Sequence, residues 1–388
     1  MKLLINLDCM QPPLTGIGHY TQHLATQLSK HPEVDTFRGL YRSRWLDGTQ
    51  LQDCPHASRP LSLLVRPGAL RRRLRQVPGS YSLRQRLREV RFVGRTRHCG
   101  DHIYWEPGLE LMPFPGRRVA TIYDLSHLNV PDSHPPSRAA YLSHQIDNTL
   151  RHADVIVTIS DTMRREIADY SGLNENDIVV VSPAASTDFR PLNAATRTEV
   201  RRRLGLPDRF ILCLGTLEPR KNLTRFMRAY AELPTPLRKR WPLVCVGTKG
   251  WNDTSLVRNM QRLEARGELL QLGYVAQPDI PLITASADLL AYPSLYEGFG
   301  MPVVEAMACG VPVLTSRGTA MHEITGEHAF LMEPTDIASI RSTLQTALEH
   351  PEARDELGDQ GITQAARYDW QRSAETLVAA LRGGPSGQ

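Results

Sequence analysis

The sequence predicts an α/β protein of two domains, each built around a parallel β-sheet. Its 388 residues exceed the roughly 250–300 residues that one hydrophobic core supports. Short apolar runs alternate with amphipathic runs of helix length, a pattern typical of parallel strands joined by crossover helices. A polar stretch at 184–193 predicts the boundary between the domains, which gives domain 1–190 and domain 191–370.

The first domain opens on an apolar run that we interpret as a strand. A signal peptide is not expected, because this run is short and no small-residue cleavage site follows it. The predicted strands lie near 2–7, 36–41, 102–105, 118–123, 154–159 and 178–182. The predicted helices, with amphipathic patterns, lie near 16–30, 135–151 and 160–171.

The second domain shows the same alternation. Its predicted strands lie near 210–215, 243–247, 270–274, 288–292, 311–315 and 329–331. Its predicted helices lie near 194–204, 222–233, 253–267, 302–309, 336–349 and 351–367, before a terminal amphipathic helix at 371–384. Pro302 suits the first turn of its helix, and Gly310 with Pro312 ends that helix.

The composition is that of an ordinary globular protein and excludes several classes. No run approaches the ~18 consecutive apolar residues of a membrane span. The six cysteines are scattered, without the paired spacing of a zinc site. We therefore expect a cytoplasmic protein with no structural metal and no resident cofactor.

Segment 66–97 carries eleven arginines and one acidic residue, Glu89, although the whole chain has a net charge of only +5. Leucine, valine, tyrosine and phenylalanine are interspersed with the arginines, as in segments that lie on anionic membrane surfaces. Peripheral membrane contact and a solvated basic face both remain open. Nucleic acid is not expected as a partner, because no recognisable nucleic-acid module accompanies the charge.

Two glutamates lie eight positions apart across a predicted strand, loop and helix at 292–316. Glu297 falls in the loop at the carboxyl end of the strand, where ligands bind in open α/β sheets, and Glu305 falls in the helix. Free amides at the helix start suit a phosphate, and carboxylates accept hydrogen bonds from hydroxyls. The junction predicts a site for a sugar, a ribose and a diphosphate, although isolated glutamates are most often solvated.

A loop at the same predicted edge carries Arg220 and Lys221. It follows the strand that ends at Gly215, and Asn222 is the expected cap of the next helix. Arginine can bind phosphate oxygens with two parallel hydrogen bonds, and lysine adds a compact charge. The pair is suited to stabilising a departing diphosphate. In isolation such a pair is more often a solvated turn.

The run at 292–316, YPSLYEGFGMPVVEAMACGVPVLTS, resembles the E-x7-E signature of retaining nucleotide-sugar glycosyltransferases with the GT-B architecture. GTLEPRKN at 215–222 is similar to the diphosphate-binding loop of that family. The resemblance implies two Rossmann-like domains facing an interdomain cleft, with the acceptor mainly on the first and the donor on the second. It also implies that the helix at 371–384 crosses back to the first domain, and that a hexose is transferred with retention and without a metal.

The same resemblance assigns residues around the cleft. The expected catalytic residues are Glu297, Arg220, Lys221 and Asp124. The expected substrate- and nucleotide-binding residues are Gly16, Ile17, Gly18, Gly215, Lys249, Tyr274, Val275, Gly298, Phe299, Gly300, Met301 and Glu305. Many relatives have His-Asp where this chain has Tyr123-Asp124, so whether Tyr123 or His127 replaces that histidine stays open. His19 and Tyr20 face either the acceptor or the core.

The second half most resembles bacterial mannosyl- and rhamnosyltransferases of O-antigen and other lipopolysaccharide synthesis. This implies GDP-mannose or GDP-rhamnose as donor. The implied acceptor is a growing glycan on undecaprenyl diphosphate, at the inner face of the cytoplasmic membrane. The mechanistic hypothesis is a dissociative front-face transfer in which Arg220 and Lys221 stabilise the leaving diphosphate. Glu297 would hold sugar hydroxyls, and Glu305 the ribose.

Three alternatives are weighed against this function. A nucleotide-sugar epimerase of the same fold would use the cleft without an acceptor. A nicotinamide oxidoreductase would need G-x-G-x-x-G after the first strand, but the third glycine is missing after Gly16 and Gly18. A non-catalytic sugar-nucleotide binder is conceivable because Tyr123 stands where many relatives have histidine.

Overall fold

The computed structural model describes residues 1–11, 14–42, 44–53, 80–248 and 254–383. Lys249 and the 66–79 part of the arginine-rich segment lie outside the described residues, so the predictions for them are not addressed by the fold. Within the described ranges the chain forms two β-sheets in succession, surrounded by helices. The expectation of an α/β protein with two parallel-sheet domains is confirmed.

The first sheet has seven strands among the described residues, in the order β3-β2-β1-β4-β5-β6-β7. These strands are β1 (Lys2–Asn6), β2 (Thr36–Tyr41), β3 (Arg44–Leu46), β4 (Ile103–Glu106), β5 (Arg118–Thr121), β6 (Val155–Thr158) and β7 (Ile178–Val180). Its helices are α1 (Gly16–Leu28), α2 (Ser80–Thr96), α3 (Ser126–Asn129), α4 (Pro136–His152) and α5 (Asp161–Ser171). All neighbours pair in parallel except β3, which runs antiparallel to β2 at the sheet edge.

The second sheet has six parallel strands in the described residues, in the order β10-β9-β8-β11-β12-β13. These strands are β8 (Ile211–Leu214), β9 (Leu243–Val246), β10 (Leu269–Gly273), β11 (Leu289–Tyr292), β12 (Val313–Ser316) and β13 (Phe330–Met332). Its helices are α6 (Ala194–Leu204), α7 (Leu223–Ala231), α8 (Thr235–Arg240), α9 (Thr254–Glu264), α10 (Ile280–Ser286), α11 (Met301–Ala308), α12 (Ala320–Thr325), α13 (Ile337–Glu349) and α14 (Pro351–Ala365).

The order of the strands places a crevice in each sheet. In the second sheet the chain order reverses between β8 and β11, and in the first between β1 and β4. At such a point the loops that follow the two central strands leave toward opposite faces, so that a groove opens at their carboxyl ends. The loops after β8 and β11 are those that carry Arg220, Lys221 and Glu297.

The last helix, α15 (Trp370–Arg382), packs on the first domain. The Trp370 ring meets Tyr20 edge-on at 5.9 Å and stacks on His23 at 4.6 Å. The Ser373 hydroxyl donates to the carbonyl of Ser182 over 2.6 Å. The first strand β1 and the last helix α15 therefore lie in the same half of the molecule, and α15 fixes the second domain against the first.

The predicted strands match the observed ones to within two or three residues at each end. The short elements not predicted are β3, α3, α8, α10 and α12, each of seven residues or fewer. Two helical turns are too few to show a 3.6-residue apolar period, so sequence pattern alone cannot find such elements. Helix α2, with 17 residues inside the arginine-rich segment, was also not predicted. Among the described residues, no helix combines the length and the apolar character needed to cross a bilayer.

Candidate active site

A compact cluster of charge lies in the groove between β8 and β11. The Glu297 carboxylate accepts from the Arg220 guanidinium at 2.6 Å and from the Lys221 ammonium at 2.7 Å. Arg220 also donates to the Glu218 carboxylate at 2.8 Å, and Lys221 donates to the Tyr292 hydroxyl at 2.6 Å. The two predicted cations and one of the two predicted glutamates are therefore brought together by the topology of the sheet.

Burial makes this pairing strong. The Glu297 side chain is 9% exposed, and those of Arg220 and Lys221 are 16% and 13% exposed. Burial alone would raise the pKa of Glu297, but the charges of Lys221 and Arg220 outweigh it and lower that pKa to about 2. Burial would lower the pKa of the Lys221 ammonium, but the negative charge of Glu297 outweighs burial and raises that pKa. All three groups are ionised at neutral pH.

Asn222 holds the two loops together. Its backbone is left-handed, with φ of 57°, and its side-chain amide donates to the carbonyls of Pro293 at 3.1 Å and Pro334 at 2.6 Å. The amide of Leu295 in turn donates to the Arg220 carbonyl at 2.9 Å. Asn222 occupies the N-cap position of α7 as expected, but its side chain makes no cap hydrogen bond and is used between loops.

Gly298 brings the second domain against the first. A Cβ on this residue would lie 1.8 Å from the Tyr123 carbonyl oxygen, so only glycine allows the approach. The Ser160 hydroxyl donates to the Gly298 carbonyl over 2.7 Å and secures the contact. Gly300, at φ of 109°, then turns the chain into α11, which begins at Met301.

The first domain contributes Asp124 to the same groove. Its carboxylate accepts from the Ser126 amide at 3.0 Å. Burial would lower the pKa of Arg220, but the charges of Glu297, Asp124 and Glu218 together raise it. Asp124 is therefore close enough to the cation cluster to act on it electrostatically.

Two residues left open by the sequence are now placed. Tyr20 is buried in the core, where its hydroxyl donates to the carbonyl of Val181 at 3.0 Å. The Tyr123 hydroxyl donates to the carbonyl of Pro107 at 2.6 Å, and its ring meets Tyr20 edge-on. Tyr123 thus uses its hydroxyl within the first domain, and both Tyr123 and His127 line the interdomain cavity.

Glu305 is a partly buried carboxyl on α11 for which no hydrogen bond or ion pair is found among the described residues. Burial raises the pKa of this carboxyl to about 8. Glu305 lies two residues from Val303 and from Met307, which are both buried and hold the helix in place. Its unpaired carboxyl can therefore form a hydrogen bond with a hydroxyl group of a ligand.

The other predicted site residues divide into three groups. Gly215, with φ of 137°, lies against the Lys221 side chain, and Ile17 lines the cavity at the cleft. Tyr274 and Val275 follow the outer strand β10, at the same sheet edge but two strands from β8. The remaining residues have other surroundings: Gly16 is exposed and Gly18 buried in the first turn of α1, Phe299 meets Tyr368 edge-on in the core, and Met301 packs against the core.

The Phe299 side chain is 3% exposed and packs in the core. The prediction that Phe299 binds substrate or nucleotide stays a prediction. Sequence reasoning gave no role to Tyr292, which holds Lys221, or to Tyr296. The Tyr296 hydroxyl donates to Glu166 at 2.5 Å and accepts from the Leu125 amide at 3.1 Å, both in the first domain. Their position at the end of a strand beside Glu297 was the available signal.

Comparisons with known proteins identify the family of the chain. The family model described as "Glycosyl transferases group 1" matches residues 196–364. The O-antigen chain mannosyltransferase B of Escherichia coli is 31% identical over 383 residues, which cover 98% of this chain and 100% of that protein.

Two solved structures share the fold. WaaG, a glycosyltransferase involved in lipopolysaccharide biosynthesis, aligns with a TM-score of 0.73 at 18% identity, over 98% of this chain and 100% of that one. Anabaena HepE in complex with UDP and glucose aligns with a TM-score of 0.72 at 18% identity, over 99% and 100%. With its two facing sheets and a full-length relative above 30% identity, the chain belongs to the glycosyl transferases group 1 family and has the GT-B fold.

Proposed function

We propose that this glycosyltransferase transfers mannose from GDP-mannose, with retention and without a bound metal, to a growing lipid-linked glycan in O-antigen synthesis. One observation carries the chemistry: a carboxylate and two cations share the groove between β8 and β11. The choice of mannose and of O-antigen is supported by the full-length relative, which is described as an O-antigen chain mannosyltransferase.

In this proposal the diphosphate of the donor replaces Glu297 as the partner of Arg220 and Lys221. Phosphate oxygens offer the two cations more negative charge than one carboxylate does. Glu297 is then free to accept hydrogen bonds from the sugar hydroxyls, and Glu305 from the ribose. Binding of the phosphates and orientation of the sugar are thereby coupled.

The transfer step uses the same groups. The bond between C1 of the sugar and the β-phosphate oxygen breaks, and its electron pair goes to the diphosphate, which Arg220 and Lys221 stabilise. The acceptor hydroxyl oxygen forms the new bond on the face that the phosphate leaves. Its proton passes to a departing phosphate oxygen. Positive side chains supply the charge that a metal would otherwise provide.

Contact with the membrane would place the acceptor at the cleft. On α2 the side chains of Leu87, Val90 and Val93 are 49%, 70% and 42% exposed, and exposed arginines flank them. Such a helix suits the headgroup region of an anionic membrane. We therefore infer a peripheral association through α2 and the adjoining basic segment.

The donor is tested first by binding and then by turnover. A thermal-shift screen with GDP, UDP and ADP should show stabilisation by GDP of several degrees and none by the others. The UDP arm matters because HepE was solved with UDP. GDP-mannose and GDP-rhamnose are then compared with a mannoside acceptor, and the anomeric configuration of the product is read by NMR.

Each part of the proposal would be contradicted by a specific experimental result. Stabilisation by UDP alone would overturn the GDP donor, and an inverted product would overturn retention. Abolition of transfer by EDTA would show that a metal is needed. Conversion of GDP-mannose to an epimer without acceptor would identify an epimerase. Tight nucleotide binding with no transfer to any acceptor would identify a binding protein.

A further inference from the structure

A cavity lies beside the charge cluster, between the first domain and the loop after β8. Asp124, Ser126, His127 and His134 line it from the first domain, and Glu218 and Arg220 close it from the second. Leu109, Leu142 and Ile146 form an aliphatic part of its wall. Arg220 belongs both to this cavity and to the Glu297 cluster, so a molecule held here lies next to the reacting end of the donor.

Two imidazole groups in this cavity have a nitrogen without a partner. His127 is 4% exposed, and its buried Nε2 has no hydrogen bond among the described residues. His134 shares a hydrogen bond between Nε2 and the Ser126 hydroxyl at 2.9 Å, but its buried Nδ1 has none in the same residues. A buried polar atom without a hydrogen bond costs about 1–3 kcal/mol of stability. Two such nitrogens in one cavity indicate that a ligand with polar groups binds there.

The charges of the cavity favour an uncharged ligand. Burial lowers the pKa of both His127 and His134, which are therefore neutral at pH 7. Arg220 is paired with Glu218 and, in the proposed function, binds the donor diphosphate, and Arg138 has an interaction of its own. A phosphate on the acceptor would find no unpaired cation among the described residues of this wall, whereas a neutral imidazole donates and accepts as a hydroxyl does.

We propose that His127 and His134 bind hydroxyl groups of an uncharged sugar residue at the growing end of the acceptor, an inference that rests on the proposed function. The aliphatic side chains of Leu109, Leu142 and Ile146 take the C–H face of the ring. The enzyme then extends an existing glycan and does not add to a sugar that carries phosphate. The sequence motifs gave His134 no role and considered His127 only as a replacement for the family histidine, not as an acceptor-binding residue.

The test uses the full chain saturated with GDP. Saturation-transfer NMR measures binding of methyl α-D-mannopyranoside and of α-D-mannose 1-phosphate. We expect the neutral glycoside to bind preferentially, and His127→Phe to weaken it about tenfold, the value of one hydrogen bond. His127→Gln keeps neutral donor and acceptor atoms and should retain most of the affinity. His144→Phe, exposed on α4, is the matched control and should bind as the wild type does.

A second variant and a second measurement separate the possible failures. His134→Phe removes both ring nitrogens at a less buried site, should also weaken binding of the glycoside, and serves if His127→Phe does not fold. GDP affinity is measured on each variant by calorimetry and should not change. If GDP does not bind the wild type, the proposed function is wrong. If GDP binds but mannose 1-phosphate is preferred, or both histidine variants bind the glycoside normally, only the present inference is wrong.

Discussion

Glu297 pairs with both Arg220 and Lys221 in the cleft. Without it, two cations that are each less than one-fifth exposed would lie side by side. Removing one partner of a buried ion pair lowers the free energy of unfolding by about 3–5 kcal/mol. Under the proposed function the donor diphosphate must compete with this carboxylate, so we expect the competition to lower the affinity for free nucleotide.

Replacement of Glu297 by glutamine should raise affinity for GDP and abolish transfer. The two cations lose their internal partner, so GDP should bind at least severalfold more tightly by calorimetry. Turnover should fall by at least ~10²-fold because the sugar is no longer held. Glu232→Gln, which removes an exposed partner of Arg341, is the control. Unchanged GDP affinity would contradict the competition.

The same variant should change how stability depends on pH. The pKa of Glu297 in the folded state is about 2, below its usual 4.5. Its contribution is therefore present above about pH 4.5 and is lost as the pH falls toward 2. Urea unfolding should show the wild type more stable than Glu297→Gln at pH 7, with a gap that narrows below pH 4. A gap that stays constant with pH would show that Glu297 acts through packing.

Glu305 should release a proton when nucleotide binds. Its pKa of about 8 in the free protein leaves it largely protonated at pH 7, and hydroxyl donors from a ribose would favour the ionised form. Calorimetry of GDP binding in buffers of different ionisation enthalpy should therefore detect up to about one proton released at pH 7 and none at pH 9. The Glu305→Gln variant corrects for protons released by GDP itself. Equal release from both proteins would remove the ribose assignment.

At the scale of the loop, Gly298 fixes the distance between the two halves of the site. A methyl group 1.8 Å from the Tyr123 carbonyl oxygen cannot be accommodated unless the loop withdraws. Gly298→Ala should therefore lower turnover by about tenfold or more while GDP affinity changes little. Gly94→Ala, in an exposed helix with nothing within 4 Å of the new methyl group, should behave as wild type. Full activity of Gly298→Ala would show that the contact is dispensable.

At the scale of the helix, α2 carries the apolar surface proposed to meet the membrane. Val90→Asp places a negative charge in its most exposed apolar position and should reduce co-sedimentation with vesicles containing phosphatidylglycerol. Val257→Asp makes the same change at a 41% exposed valine on α9 and should bind vesicles normally. Binding that does not change in Val90→Asp would favour the solvated basic face.

At the scale of the whole molecule, hydrogen bonds between the domains hold the cleft in the arrangement described. Glu323 on α12 accepts from the Asp161 amide at 2.8 Å and the Thr162 amide at 2.6 Å, at the start of α5 in the first domain. A carboxylate at a helix N-terminus satisfies free amides and interacts favourably with the helix dipole. This cap joins two domains, so it stabilises their closed arrangement.

Glu323→Ala should open the cleft. Loss of the cap costs about 0.5–2 kcal/mol, enough to shift an equilibrium between closed and open domains several-fold or more. Small-angle X-ray scattering of the ligand-free protein should show a larger radius of gyration, and GDP-mannose should reverse part of the increase. Glu327→Ala, an exposed partner of His322, is the control. Identical scattering from the two variants would assign Glu323 a local role only.

The sequence by itself determined the α/β class, the two sheets and the loops that carry charge. These follow from local pattern: apolar runs of strand length, amphipathic helices, and polar residues directly after strands. Arg220, Lys221 and Glu297 could be placed at one sheet edge for that reason, because the carboxyl ends of parallel strands share an edge. Short elements such as α8 and α12 left too little pattern to detect.

Only the tertiary structure decided how these residues are used. Three features depend on contacts between residues distant in sequence. They are the pairing of Glu297 with both cations, the bridging of loops by the Asn222 side chain, and the burial of Phe299 in the core. The pairing of Glu323 with α5 and the unpaired nitrogens of His127 and His134 arise where two domains meet. Such contacts are set by the packing of whole domains, and no local sequence pattern specifies them.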